Sequence, residues 1–278
     1  MMRILQISDT HMSPGKRHFA ANWQPLRDWI IGQDADLVIH TGDVTVDGAD
    51  REDDMAYCAG LLHDLGMPVL CVPGNHDVGE PHHPHQPVND ARIARWRRHF
   101  GNDWWMKDVE DWRLIGLDAM LFGSGLAQEA EQLAWLQAAM TDGGTRKIGW
   151  FMHRPLFLEG ADEADTGYWS VKPALRAPLL QLVQRHAVAL VATGHLHKSH
   201  DCVVDGCRYL WCGSSAFVVG PDNQPEMPGE KRLGGVTYDF DGSSVRVAAT
   251  EIVDLTRFWI DDVLHEVYPP RQPVGSTG

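Results

Sequence analysis

The segment Gly74-Asn75-His76-Asp77 places an amide, an imidazole and a carboxylate side by side, directly after the apolar run Val69-Leu70-Cys71-Val72. The apolar run is typical of a buried strand. Gly74 is expected to allow a tight turn that a residue with a Cβ atom would resist. Such a turn contributes little to packing, but its side chains are suited to bind a metal ion or a phosphate group.

Four other predicted strands end in side chains of the same kinds. In an extended segment, residues i and i+2 point the same way, so Asp9 and His11 can reach one ion together. Functional groups gather beyond the carboxyl ends of strands in parallel α/β sheets, so these strand ends are expected to meet. The candidate residues are Asp9, His11, Asp43, Asn75, His76, Asp77, His153, His195 and His197.

The candidate donors are oxygen and nitrogen atoms, without a thiolate. This set suits Mn, Fe, Zn, Co or Ni, and does not suit Ca or a structural zinc site. The donors are too many for one ion and appropriate for two. Two ions about 3.5–4 Å apart are the usual device for in-line displacement at phosphorus. We therefore expect two divalent transition-metal ions as cofactors, with Mn, Fe or Zn preferred.

The elements that position these groups alternate between predicted strands and helices with short connections. That order indicates a parallel sheet covered by helices, and so an α/β fold. Later segments, near residues 208–212, 235–240 and 244–253, alternate like antiparallel strands. We expect one domain over residues 1–260, followed by a flexible tail over residues 261–278, which is rich in Pro, Gly and Ser towards its end.

The formal net charge of −14 argues against a nucleic-acid duplex as a partner. It is compatible with a small phosphorylated substrate, because bound cations would reverse the sign locally. No apolar run approaches the roughly 20 residues needed to span a bilayer, and the N-terminus resembles no signal peptide. We therefore expect a cytoplasmic protein without a membrane partner. A homo-oligomer is left open.

The cysteines number 5 and include no Cys-x-x-Cys pair. This pattern favours reduced core thiols over a disulfide scaffold or a zinc knuckle.

The five motifs resemble those of the calcineurin-like metallophosphoesterase superfamily. They are Asp9-Thr10-His11, Gly42-Asp43, Gly74-Asn75-His76-Asp77, His153-Arg154-Pro155 and Gly194-His195-Leu196-His197, in the family's order. The resemblance covers residues 9–197. It implies a four-layer αββα sandwich of two mixed β-sheets flanked by helices, with a dinuclear metal site at one edge.

The resemblance also implies a role for each position. The implied ligands are Asp9, His11 and His197 for the first metal, Asn75, His153 and His195 for the second, and Asp43 as a bridge between both. His76 would face the phosphate and stabilise charge or protonate the leaving oxygen, with Asp77 orienting its ring. A hydroxide between the two ions would attack phosphorus.

A narrower likeness concerns substrate choice. Residues 74–79, 99–101 and 153–165 resemble a subgroup that includes a eukaryotic phosphatase acting on phosphorylated proteins. The bacterial cyclic-nucleotide phosphodiesterases share the five motifs.

Arg154 stands where many phosphodiesterases have a second histidine, and either clamps a phosphate oxygen or faces solvent. Tyr168 and Trp169 either form an apolar wall for a leaving group or pack the loop. The histidines of residues 82–85 either bind metal or belong to a rim loop.

These observations lead to a first hypothesis, in which the protein is a metal-dependent hydrolase of a small phosphodiester. Cyclic nucleotides are among the candidate substrates. The second hypothesis is a phosphomonoesterase acting on a phosphorylated metabolite or protein. A third, a non-catalytic binding scaffold, is disfavoured because every implied ligand and His76 are present. The candidate substrate-binding residues are Asn75, His76, Arg154 and Trp169.

Overall fold

Two large mixed β-sheets form the centre of the computed structural model, which describes residues 1–270. In chain order the strands are β1 (Met2–Ile7), β2 (Leu37–His40), β3 (Val69–Cys71), β4 (Trp105–Val109), β5 (Trp112–Leu117), β6 (Lys147–Met152), β7 (Leu190–Thr193), β8 (His200–Val204), β9 (Cys207–Trp211), β10 (Phe217–Val218), β11 (Gly234–Asp241), β12 (Ser244–Glu251) and β13 (Phe258–Trp259). The first sheet has the order β12-β11-β1-β2-β3, and the second has the order β4-β5-β6-β7-β9-β8.

Parallel strands in each sheet bring their carboxyl ends to one edge. β1, β2 and β3 are parallel in the first sheet, and β5, β6, β7 and β9 are parallel in the second. The antiparallel strands β11, β12, β4 and β8 complete the sheets. A small parallel pair, β10 and β13, lies outside both.

Helices cover the outer faces of the sheets. They are α1 (Trp23–Gly32), α2 (Glu52–His63), α3 (Asn75–Val78), α4 (Asp90–Phe100), α5 (Ala127–Thr141), α6 (Pro173–Arg185) and α7 (Ile260–Val267). In α2, acidic residues occupy the first turn, where their negative charge interacts favourably with the positive end of the helix dipole. Its apolar side chains Met55, Cys58 and Leu62 are buried at helical spacing, as predicted.

Alternation along the strands separates two cores. Ile4 and Ile39 belong to the cluster between the sheets, together with Phe151 of the second sheet. Their neighbours Leu5 and Val38 belong to the cluster beneath the helices. Since successive residues of a strand point to opposite faces, central strands such as β2, β5 and β7 are buried on both sides. The predicted α/β fold of two mixed sheets flanked by helices is confirmed.

The chain end differs from the predicted flexible tail. Residues 260–267 form helix α7, and its Ile260 and Val267 are buried in a cluster with Phe19 and Phe217. This packing against residues distant in sequence orders the segment. Residues 271–278, the remainder of the predicted tail, lie outside the described residues. Among the helices of residues 1–270, none combines the length and the apolar run needed to cross a membrane.

Candidate metal centre

Asp9, His11 and His197, here called the first donor group, meet where the loops after β1 and β7 come together. The Nε2 atoms of His11 and His197 are 3.3 Å apart. Asp9 Oδ1 lies 3.4 Å from His197 Nε2 and 3.9 Å from His11 Nε2. All three side chains are buried. Three possible ligand atoms thus converge on one point.

Asn75, His153 and His195, here called the second donor group, lie beyond the ends of β3, β6 and β7. His153 Nε2 is 3.2 Å from Asn75 Oδ1 and 3.2 Å from His195 Nδ1. These side chains are also buried, with exposed fractions of 5% or less. The second group therefore offers one amide oxygen and two imidazole nitrogens.

Asp43, at the end of the loop after β2, lies between the two groups. Its Oδ2 atom is 3.2 Å from His153 Nε2 and 3.8 Å from His11 Nε2. Its Oδ1 atom accepts a hydrogen bond of 2.8 Å from the backbone N–H of His76. One carboxylate oxygen is therefore in reach of both groups, as expected of a bridging ligand.

An unusual backbone conformation aims several of these donors. The candidate ligands with left-handed φ are Asp9 (52°), His11 (42°), Asp43 (50°), His195 (72°) and His197 (52°). Residues other than glycine rarely adopt this region, which costs of order 1–3 kcal/mol and is concentrated at functional sites. Backbone hydrogen bonds between the loops hold it, such as Asp9 N to Gly42 O at 3.0 Å and His11 N to Asp43 O at 3.1 Å.

Gly74 is required because a side chain would not fit at this position, and not because the backbone needs a φ angle that only glycine adopts. Its φ of −107° and ψ of −176° are extended, so the predicted role in allowing a turn is wrong. A Cβ atom at Gly74 would overlap the Oδ1 atom of Asp43. Gly42 combines both needs, because its φ is 94° and a Cβ there would lie 2.6 Å from His153 Nδ1.

In His153, His195 and His197, one ring nitrogen points away from the other donors and is here called the outer nitrogen. This nitrogen already has a hydrogen-bond partner. His153 Nδ1 is 2.8 Å from Thr41 O, His197 Nδ1 is 2.8 Å from Phe217 O, and His195 Nε2 is 3.0 Å from Tyr168 O. A carbonyl oxygen can only accept, so these nitrogens carry the hydrogen in each neutral ring. The inner nitrogens of the neutral rings therefore present lone pairs.

The arrangement of these lone pairs fits divalent cations. Asp9 Oδ1 is buried and has no hydrogen-bond partner among the described residues. The Nε2 atoms of His11 and His197 beside it face one another at hydrogen-bond distance. The hydrogens of these rings are already engaged in hydrogen bonds at the outer nitrogens. Buried lone pairs without a donor are unfavourable, and a cation at their centre would satisfy them. The residues thus fit two ions, with Asp43 between them.

The protonation equilibria are shifted by the same contacts. Burial would raise the pKa of Asp9, but the neighbouring His197 lowers it below its usual range. Burial lowers the pKa values of His11 and His195 well below normal, which favours neutral rings. Burial also opposes protonation of His153, yet Asp43 outweighs it and raises the pKa of His153 to about 9. A cation bound at Asp43 would displace that proton.

His76 lies next to the donors but is more exposed than they are. Its ring centroid is 5.1 Å from that of His11, and one of its nitrogens lies within 4.8 Å of the ligand atoms of His11 and Asp43. This position beside His11 and the shared Asp43 is compatible with the predicted contact to phosphate.

Asp77 has a different role from the predicted one. Its Oδ1 atom accepts hydrogen bonds from Thr45 N at 3.0 Å and Thr45 Oγ1 at 2.7 Å. Its Oδ2 atom accepts from Val44 N at 3.2 Å and Gly74 N at 2.9 Å. The carboxylate therefore joins the loop after β2 to the loop after β3 and does not orient the His76 ring. Burial, then the charge of Asp43, raises the pKa of Asp77 to about 7.

A cavity of about 400 Å³ lies beside Tyr168, which contacts Asn75 of the second donor group, although no donor side chain lines the cavity itself. Arg154 and Tyr168 line it together with apolar side chains, among them Phe122 and Leu175. Arg154 is 9% exposed and forms an ion pair with Glu80. The solvent-facing alternative for Arg154 is therefore wrong. His82 also lines the cavity, so part of the histidine-rich loop faces it.

Of the two aromatic residues in this loop, Tyr168 and not Trp169 contacts the second donor group. The Tyr168 hydroxyl is 3.2 Å from Asn75 Nδ2, and its ring centroid is 4.6 Å from that of His195. Trp169 packs against a cluster that includes Leu196 and Trp211, and its centroid is 6.3 Å from that of His195. Trp169 thus packs against neighbouring side chains, whereas Tyr168 lines the cavity. The apolar wall for a leaving group stays a prediction.

Sequence reasoning missed Tyr268, which follows helix α7. Its hydroxyl is 2.7 Å from His11 Nδ1, and its ring contacts the His76 ring, with centroids 4.4 Å apart and planes tilted by 35°. The residue lies in the predicted tail, far beyond the five motifs. The single signal in the sequence is an aromatic residue after a short amphipathic segment, which does not identify a contact with the donors.

Known proteins provide an independent comparison. The family model described as "Calcineurin-like phosphoesterase" matches residues 2–199. A probable glycerophosphodiester phosphodiesterase GpdQ from Arcobacter nitrofigilis is 28% identical over 82% of this chain and 84% of its own length. The serine/threonine-protein phosphatase CPPED1 from Danio rerio is 29% identical over 57% of this chain and 51% of its own length.

A solved structure supports the fold. The purple acid phosphatase PPD1 from yellow lupin (Lupinus luteus) superposes with a TM-score of 0.67 at 14% sequence identity, over 99% of this chain and 57% of that chain. Because the family model spans most of the chain and includes both donor groups, the protein belongs to the calcineurin-like phosphoesterase family and is a hydrolytic enzyme.

Proposed function

We propose that this chain hydrolyses a small phosphodiester with two divalent transition-metal ions, Mn, Fe or Zn. Asp9, His11 and His197 would hold one ion, and Asn75, His153 and His195 the other. The observation that carries the proposal is the position of Asp43, whose Oδ2 atom lies 3.2 Å from His153 Nε2 and 3.8 Å from His11 Nε2. A carboxylate shared in this way is what a paired-ion site for phosphoryl chemistry requires.

When bound, the two ions would supply Lewis acidity that activates water and polarises the phosphoryl oxygens. The chain's own residues would place and protonate the substrate. His76 is more exposed than the donors and lies beside His11 and Asp43, so its ring can reach a phosphoryl or ester oxygen. We assign it charge stabilisation or proton donation to the leaving oxygen. Asp77 supports it indirectly, by fixing the loops that carry Asp43 and Gly74.

The cavity beside the second donor group favours a diester over a monoester. A diester brings a second organic substituent, and Phe122, Leu175 and Tyr168 offer it an apolar surface. A monoester dianion would need unpaired positive charge, yet the buried Arg154 is already paired with Glu80. The likeness to the GpdQ relative also covers more of this chain than the likeness to the phosphatase.

The alternative function, a phosphomonoesterase, rests on a specific observation. Lys172 also lines the cavity, and together with Arg154 it provides two cations against one acid, Glu80. A phosphate dianion that displaced Glu80 from Arg154 would find a bidentate donor there. The substrate panel below separates the two functions.

The test compares three substrates in the presence of Mn²⁺: bis(p-nitrophenyl) phosphate, p-nitrophenyl phosphate and cyclic AMP. We expect kcat/KM for the aryl diester to exceed that for the aryl monoester at least about tenfold, a difference of roughly 1.4 kcal/mol. Asp43→Ala protein purified in parallel controls for contaminating phosphatases. Faster cleavage of the monoester would favour the alternative, and turnover of cyclic AMP would extend the class to cyclic nucleotides. Protein loaded with two ions that cleaved none of the three would overturn both functions.

A further inference from the structure

The partner of the outer nitrogen distinguishes His11 from the other candidate histidine ligands. Backbone carbonyl groups hold the outer nitrogens of His153, His195 and His197. The outer nitrogen of His11 is instead 2.7 Å from the hydroxyl oxygen of Tyr268. A single side chain from the end of the described chain therefore takes the place of a main-chain acceptor.

The contact holds the His11 ring in place and allows the tautomer that binds a cation. The Tyr268 hydroxyl can accept the hydrogen of His11 Nδ1, which leaves a lone pair on Nε2. That Nε2 atom is the one that faces His197 and Asp9. Partners of this kind set the tautomer, orientation and basicity of a ligating imidazole. The Tyr268 ring also packs against the His76 ring, with 4.4 Å between centroids.

Helix α7 carries Tyr268 to this position and is anchored along its length. Asp261, in its first turn, accepts hydrogen bonds from Gly220 N at 2.6 Å and Asn223 Nδ2 at 2.8 Å. At the other end, Lys16 Nζ donates to Val267 O at 2.5 Å. Val267 is fully buried. The position of Tyr268 thus depends on contacts that span the whole helix.

We propose that Tyr268 is a positioning residue for the ion of the first donor group, and that docking of α7 thereby determines how tightly this ion is held. The proposal rests on the two-ion site of the proposed function. It concerns only one of the two ions, because the outer contacts of the second donor group do not involve α7. Removal of the Tyr268 hydroxyl releases His11 Nδ1, while the ring can still contact His76.

The test measures metal binding and not turnover. Full-length metal-free protein is titrated with Zn²⁺ or Mn²⁺ against a chelating indicator, for the natural chain and for Tyr268→Phe. We expect one of the two ions to bind about 10–100-fold more weakly in the variant, as is usual when the partner of a ligating histidine is lost. The other ion should bind unchanged. Tyr57→Phe removes a hydroxyl from α2 in the helix layer and serves as the matched control.

A second variant tests the dependence on α7. Asp261→Ala removes the acceptor that anchors the start of the helix and should weaken the same ion by a smaller factor. In the double variant Tyr268→Phe, Asp261→Ala, the losses should not add, because Asp261 acts through Tyr268. Additive losses would show that α7 acts on the site by another route and would overturn that part of the proposal.

The outcomes separate this proposal from the proposed function. Unchanged binding of both ions in Tyr268→Phe, or equal weakening of both, would overturn the role of Tyr268. Protein that bound two ions with this difference between variants, yet hydrolysed no phosphoester, would overturn the proposed function alone. A natural chain that bound no ion would overturn both.

Discussion

The two donor groups are alike in chemistry and differ in what surrounds them. Each contains histidines at strand ends, shares Asp43, and touches a tyrosine hydroxyl, from Tyr268 in the first group and Tyr168 in the second. Tyr268 follows a packed helix, and its ring contacts that of His76. Tyr168 belongs to the turn Gly167–Trp169, is 39% exposed and lines the cavity. The first group is therefore supported by the protein framework, and the second faces the space available to a substrate.

The largest effect on metal binding and turnover is expected from substitution of Asp43, which both donor groups share. Asp43→Ala should remove both ions and leave no measurable turnover, because one carboxylate oxygen contacts histidines of both groups. Metal analysis after reconstitution, together with the diester assay, measures this. Asp54→Asn is the control, since Asp54 is a buried carboxyl that binds Ser13 and lies outside the donor groups. An Asp43→Ala protein that still held one ion tightly would show that the groups are independent.

A smaller effect, on turnover alone, is expected from substitution of His76. His76→Ala should lower kcat for the diester by about 10²–10⁴-fold, the range of general acid–base catalysis. Both ions should stay bound, because neither group needs this ring as a ligand. His99→Ala, on the outside of α4 where His99 pairs with Glu52, is the control for loss of an imidazole. Loss of an ion from His76→Ala would make His76 a ligand, which would join it to the first group.

The smallest effect distinguishes the two tyrosines directly. Tyr168→Phe removes the hydroxyl that lies 3.2 Å from Asn75 Nδ2, but keeps the carbonyl that holds His195. We expect the second ion to bind less than about tenfold more weakly, below the usual cost of losing a histidine partner. The first ion should be unaffected, and KM for the diester should rise because the cavity wall changes. If Tyr168→Phe weakened the first ion instead, the division between framework and substrate side would be wrong.

The sequence predicted the parts of the centre that depend on local pattern. The five motifs follow apolar runs, and the structure has β1, β2, β3, β6 and β7 ending just before them. Parallel strands bring the motifs of each sheet to one edge. The strands before Asp9 and His197 lie in different sheets, so the pairing of these two residues came from the family resemblance. The two mixed sheets came from family resemblance, since alternation of residues does not determine strand order.

Features that depend on distant contacts were not predicted. The carboxylate of Asp77 was expected to serve the adjacent His76, but its hydrogen-bond donors belong to Val44 and Thr45 of another loop. Tyr268 reaches His11 because α7 docks on Phe19 and Phe217, and nothing in its neighbouring residues indicates that partner. In both cases, a side chain's role is decided by which loop packs opposite it.

The left-handed backbone at five donors has a consequence for design. Someone who wished to transplant this centre into another sheet protein could copy every ligand and still fail. The side chains of Asp9, His11, Asp43, His195 and His197 point inward because their φ angles are positive. An engineered host would have to reproduce those main-chain paths, together with the side-chain-free crossing at Gly42 and Gly74, before the ligand identities mattered.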